Sequence, residues 1–133
     1  MIAITGIHGN FYSNPFYYNF GYTLNKGNID FIYALTCDAF GRVKRKNTKT
    51  GKDKLIGSYN EDFNNTDEDI EAYIDFAEKN KYKNIYLAGH SFGANKIIYY
   101  LSRNRDKRVK KYILISPANI THLLNGNRRK KYY

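Results

Sequence analysis

The stretch Ile85-Tyr86-Leu87-Ala88-Gly89-His90-Ser91-Phe92-Gly93-Ala94-Asn95 decides how this chain is read. Ile85 to Ala88 is a short apolar run with the character of a buried strand. Beyond Gly93, the residues Ala94, Ile97, Ile98 and Leu101 recur at the spacing of one helical face. Ser91 therefore lies between a strand and a helix, with a glycine two residues to either side. That context calls for a sharp, strained turn at the serine, with the glycines leaving room for neighbouring backbone. It would raise the Ser91 hydroxyl over the carboxyl edge of a sheet. The helix N-terminus beneath would favour a developing negative charge through its free amides and dipole.

Working outward, Ile2 to Ile7 reads as a buried strand ending in the turn His8-Gly9-Asn10. Asn14-Pro15 supplies a cap and first-turn proline, and Phe16, Phe20 and Leu24 fall at helical spacing until Lys26-Gly27. Gly21 weakens that helix. Ile29 to Leu35 is a second strand with too little polar alternation for a face open to water. From Thr36 to Asn65 no period holds, and the segment from Gly41 to Lys54 is basic and turn-rich. Its length suits a lid or insertion, with room for a small hairpin. Thr66-Asp67-Glu68-Asp69 has the form of a capping box, and Ile70, Tyr73, Ile74 and Ala77 share the helical face that follows. Acid in its first turn and Lys79 and Lys81 at its end suit the helix dipole. Tyr112 to Ile115 makes a further strand, closed by Ser116-Pro117. Strand-helix-strand units of this length predict an α/β fold, with a mostly parallel sheet of about four strands and helices on both faces. Residues 1–133 are expected to form one domain with a basic loop or lid at 36–65.

The composition narrows the function classes. With 133 residues and 42% apolar content the chain has the material for a core, so disorder is not the default. A net charge of +10 raises the question of an anionic partner, yet the excess sits in Arg42 to Lys54 and in Arg128 to Lys131, neither on a recognisable nucleic-acid fold. Solvated loop and terminus are the expectation, with no nucleic-acid partner. The lone Cys37 excludes an internal disulfide and reads as a buried thiol. No stretch has the roughly 18 apolar residues of a membrane span, and Met1-Ile2-Ala3-Ile4 carries no basic leader, so a cytoplasmic protein is expected. No spacing of His, Cys, Asp or Glu resembles a metal site, and no glycine-rich phosphate loop is seen. No cofactor or metal is therefore expected.

Gly89-His90-Ser91-Phe92-Gly93 after a strand, with His8-Gly9 after an earlier one, resembles the α/β-hydrolase superfamily. Within it, His8-Gly9-Asn10-Phe11-Tyr12, Ile56-Gly57-Ser58-Tyr59, Asp69-Ile70, Gly89 to Lys96 and Leu114-Ile115-Ser116-Pro117 are similar to bacterial serine hydrolases of unassigned substrate related to the DUF1749 proteins. The resemblance implies a carboxylesterase or related acyl hydrolase of small substrates, with Ser91 as nucleophile. It further implies an oxyanion hole from the amide of Phe92 and one near Asn10, supported by His8, Gly9, Gly89, His90 and Gly93. The family order is serine, acid, histidine, the last two on loops after later strands, and only 42 residues follow Ser91. The chain is therefore expected to be truncated at both ends, beginning at what resembles the family's third strand.

Each candidate has a plainer alternative. His122 follows the last strand and is the sole histidine after the elbow, so it is the candidate base; the alternative is a surface histidine on a frayed end. Asn119, three residues earlier, lacks the carboxylate a triad uses. His90 is expected to point away from the catalytic side, and His8 to brace its own turn. Glu61 and Asp62 would reach the site only if the long loop folds over it, and otherwise are solvated charges. Tyr17, Tyr18, Tyr99 and Tyr100 read as core and rim. The rival to a serine hydrolase is an inactive remnant or binding module that keeps the elbow without base and acid. Its exposed sheet edges would promote self-association. An anion-binding surface through Lys44 to Lys54 and Arg128 to Lys131 is the third reading.

Overall fold

The computed structural model describes residues 1–10 and 14–120. The chain runs β1 (Ile2–Ile4), α1 (Phe16–Lys26), β2 (Ile32–Ala34), β3 (Val43–Lys46), β4 (Asp53–Ile56), two 3-10 turns (Ser58–Asn60 and Phe63–Asn65), α2 (Thr66–Lys79), β5 (Ile85–His90), α3 (Phe92–Asn104) and β6 (Val109–Ile115). The main sheet has the order β2-β1-β5-β6, and all its pairings are parallel. Ile4 and Leu114 both pair with Gly89, which aligns the carboxyl ends of β1, β5 and β6. Everything that follows β1, β5 and β6 therefore emerges at one edge of the sheet.

Alternation along each strand assigns the two faces. Ile2, Ile4, Ala34, Ile85 and Leu87 project to one side, where they meet Ile70, Ile74 and Ala77 of α2 and Ile97 and Tyr100 of α3. Tyr33 and His90 project to the other side, where Tyr17 of α1 contacts both. The α/β class with helices on both faces thus follows from side-chain parity.

Several boundaries move from where the sequence puts them. β1 stops at Ile4, because the chain turns at Gly6, and the Gly9 amide donates back to the Gly6 carbonyl at 2.9 Å. The Thr66 capping box does not form. Thr66 is buried inside α2, which continues directly from the 3-10 turn at Phe63–Asn65, and the Asp62 carboxylate caps that turn by accepting from Asn64 N. Asp69 turns instead to the β2 loop, its Oδ2 accepting from Cys37 N at 2.9 Å. In α3, Ile98 is 47% exposed while Lys96 is buried, the reverse of the hydropathy reading. The 36–65 segment is a two-stranded antiparallel hairpin followed by the two 3-10 turns. Lys44, Arg45 and Lys46 on that hairpin are exposed, as a solvated basic strand should be.

Candidate active site

Ser91 links β5 to α3 with φ 55° and ψ −127°, a combination that side-chain-bearing residues seldom adopt. Local close packing enforces it. A Cβ at Gly89 would stand 2.6 Å from Ala94 Cα, and one at Gly93 would stand 2.2 Å from the Ile4 carbonyl oxygen. The two glycines let α3 drop onto the ends of β5 and β1, and the chain can make that bend only by kinking at Ser91. Ser91 N donates to the Ile115 carbonyl at 2.9 Å, fixing the elbow to the end of β6. Beyond β6, Asn95 clamps the chain again, its Nδ2 donating to the Ala118 carbonyl and its Oδ1 accepting from Ala118 N, both at 3.1 Å.

The Ser91 hydroxyl does not cap α3 and opens onto a cavity of about 330 Å³. Gly6, Ile7, His8 and Gly9 line one side, Asn14 and Tyr17 another, and His90 and Ser91 the floor. Gly6 is pressed so closely to the serine that a Cβ on it would lie 3.2 Å from Ser91 Oγ. The Ile7 amide in the same turn donates to no described acceptor, and Phe92 N is the first amide of α3. Both are of the type that stabilises an oxyanion. Asn10, by contrast, stands outside the cavity lining. Its Nδ2 donates to the His8 carbonyl at 3.2 Å, and its own carbonyl accepts from Tyr33 OH at 2.8 Å. It closes the turn, whereas Ile7 lines the cavity beside the serine.

Neither described histidine reaches the serine. His8, at φ 59°, shares a hydrogen bond with Ser58 Oγ at 3.0 Å, and Ser58 Oγ donates to the Phe40 carbonyl at 2.9 Å. His90 shares one with Tyr17 OH at 3.0 Å. His90 lines the same cavity as Ser91, so it does not point away from that side as the sequence suggests. His122, the candidate base, and the basic run Arg128 to Lys131 lie outside the described residues.

A buried ionic cluster, missed in the sequence apart from Glu61, lies against the same helix. Lys96 and Asp38 are each 3% exposed and ion-paired, and Glu61 Oε1 lies 3.1 Å from Lys96 Nζ. Thr36 Oγ1 donates to Asp38 Oδ1 at 2.6 Å. Burial and the neighbouring Asp38 push the Glu61 carboxyl up to about 7 against the pull of Lys96. Burial works against ionisation of Asp38 too, but the lysine and its hydrogen bonds hold that carboxyl below the usual range. Cys37, Asp38 and Asp69 bring potential ligand atoms within 4.8 Å of one another. The trio does not fit a cation: Asp38 is committed to the Lys96 ammonium, and burial with Asp69 pushes the Cys37 thiol up to about 12. A larger concavity, about 840 Å³, is lined by Tyr18, Tyr22, Phe31, Phe76 and Tyr82 beside the outer edge of β2, and it shares only Tyr17 with the serine cavity. It is larger but does not include Ser91; Asp30 is the carboxylate on its lining.

The family model described as "Serine aminopeptidase, S33" (Hydrolase_4) matches residues 3–130. No curated protein and no solved structure matches the chain.

Proposed function

The chain belongs to the serine aminopeptidase S33 family of α/β-hydrolases, and on that premise we propose that it is a serine hydrolase cleaving an ester or related acyl bond of a small substrate, with Ser91 as nucleophile. The observation that carries this reading is the Ser91 backbone at φ 55°, held between Gly89 and Gly93 with its side chain on a cavity at the N-terminus of α3. Strain of this kind costs about 1–3 kcal/mol and persists where surrounding packing over-determines it, characteristically at functional sites.

In the proposed reaction Ser91 Oγ attacks the substrate carbonyl while a base removes its proton. The tetrahedral oxygen is held by the amides of Phe92 and Ile7; Ile7 replaces the amide near Asn10 in this role because it lines the cavity at Ser91. Collapse of the tetrahedral intermediate expels the alcohol, which takes the proton from the base, and leaves an acyl-serine that water then hydrolyses. His122 is the residue proposed as base, because His8 and His90 are engaged with Ser58 and Tyr17. The likeness to DUF1749-related hydrolases belongs with this reading and leaves the acyl group unspecified.

Turnover of short p-nitrophenyl esters tests it. Ser91→Ala should abolish turnover, and His122→Ala should lower kcat by about 10³-fold or more with little change in KM. Turnover that survives Ser91→Ala would remove the serine from the mechanism. A folded wild-type protein inert toward every short ester would favour the inactive, binding-module reading, which draws on the engagement of His8 and His90 with Ser58 and Tyr17 rather than Ser91.

A further inference from the structure

Two turns must keep a fixed separation if Ile7 and Phe92 are to hold one oxyanion, and they belong to different strands. One follows β1 and the other follows β5. On the face of the sheet carrying α1, two tyrosines bridge them. Tyr33 of β2 donates its hydroxyl to the Asn10 carbonyl at 2.8 Å, closing the turn that contains Ile7. Its ring meets the Tyr17 ring at a centroid distance of 4.6 Å. Tyr17 OH is hydrogen-bonded at 3.0 Å to Nδ1 of His90, the residue before Ser91. Tyr17 is buried, and the Tyr33 hydroxyl bond is partly buried.

A buried hydroxyl is costly unless bonded, and phenylalanine would fill either position with the same ring. Packing alone therefore does not call for these oxygens. Each instead ends on the flank of one half of the hole. We propose that Tyr17 and Tyr33 form a strap that sets the spacing between the oxyanion turn Gly6 to Asn10 and the elbow at Ser91, both acting as positioning residues. This rests on the reading of Ser91 as nucleophile only for its catalytic consequence. Burial pushes the Tyr17 phenol up to about 12 and the Tyr33 phenol up as well, so both hydroxyls keep their protons across the neutral range. The strap also accounts for the turn of His90 toward α1 beside the cavity. Misplacement of a reacting group by about 1 Å costs about 10²-fold, so losing one end of a strap should cost about tenfold.

The test uses the full chain as wild type, Tyr17→Phe, Tyr33→Phe and the double variant, each checked for an unchanged thermal transition. Two readouts are taken: the amide resonances of Ile7 and Phe92, and the rate of phosphonylation of Ser91 by a fluorophosphonate. Tyr33→Phe, which removes the hydroxyl that donates to the Asn10 carbonyl, should shift the Phe92 amide as well as Ile7. Tyr17→Phe should shift Ile7 as well as Phe92. Each should slow phosphonylation about tenfold, and the double variant should be no slower than either single one. Shifts confined to the turn next to each substitution, or rate losses that multiply to about 100-fold, would overturn the strap. If wild type is not phosphonylated, the Ser91 reading fails, while the two amide resonances still decide whether the strap exists.

Discussion

At the residue scale, Ser91 and Gly93 trade stability for geometry in opposite ways. Ser91 sits at φ 55° and ψ −127°, a conformation open to glycine but strained for a residue with a Cβ. Ser91→Gly should raise stability by about 1–2 kcal/mol in urea denaturation while removing the proposed nucleophile. Ser91→Ala should show no such gain, which separates strain from the loss of the hydroxyl. Gly93 has no room for a methyl group, since a Cβ there would stand 2.2 Å and 2.5 Å from the carbonyl oxygens of Ile4 and Thr5. Gly93→Ala should therefore cost more than about 2 kcal/mol, read as a lower denaturation midpoint. Both residues are legible in the sequence because a glycine-flanked serine between an apolar strand and a periodic helix suits few backbone paths besides a tight elbow. Ile7 was not legible as a donor: its side chain marks nothing, and the role falls to a backbone amide that only the turn at Gly6 presents.

At the element scale, the long segment after β2 is anchored to α3 through Lys96, Asp38 and Glu61. Removing one partner of such a buried cluster leaves charge unpaired, so Lys96→Ala should cost about 3–5 kcal/mol. The pH dependence has a definite sign. Glu61 is raised from the ordinary 4.5 to about 7, so the folded state binds a proton more readily than the unfolded one. The stability this contributes is fully present below pH 4.5 and is lost as pH rises toward and through 7. Glu61→Gln should flatten that part of a stability-pH curve, measured by urea denaturation at a series of pH values. The sequence hid this cluster for a physical reason. A lysine on a helix is ordinarily solvated, and hydropathy placed Ile98 inward where Lys96 goes instead. Only the approach of the β2 loop, carrying Asp38 to the same helix, makes burial of that ammonium tolerable. The capping box failed similarly: Asp69 had a backbone donor at Cys37, thirty-two residues away, that local pattern does not reveal.

For the whole molecule, the α/β class with a mostly parallel sheet of about four strands was within reach of the sequence because the strand-helix-strand spacing points to parallel strands, whereas the order β2-β1-β5-β6 came from the structure. The outer edges were left to structure. Among the described residues β6 ends the sheet, and Tyr112 and Ile113 on it are exposed, Ile113 by 42%. Edges of this kind pair with other strands. Sedimentation should show concentration-dependent association, reduced by Ile113→Lys; a monomer at all concentrations would contradict it. None of the described helices is long and apolar enough to cross a membrane. The central claim concerns the whole fold, because the elbow has chemical meaning only if strand, turn and helix together activate one hydroxyl. It is tested most directly by intact-mass measurement of the protein after treatment with a fluorophosphonate, with the modified peptide identified. One adduct per chain is expected, located on Ser91 and absent from Ser91→Ala. A well-folded protein that stays unmodified, or one modified elsewhere, would contradict it.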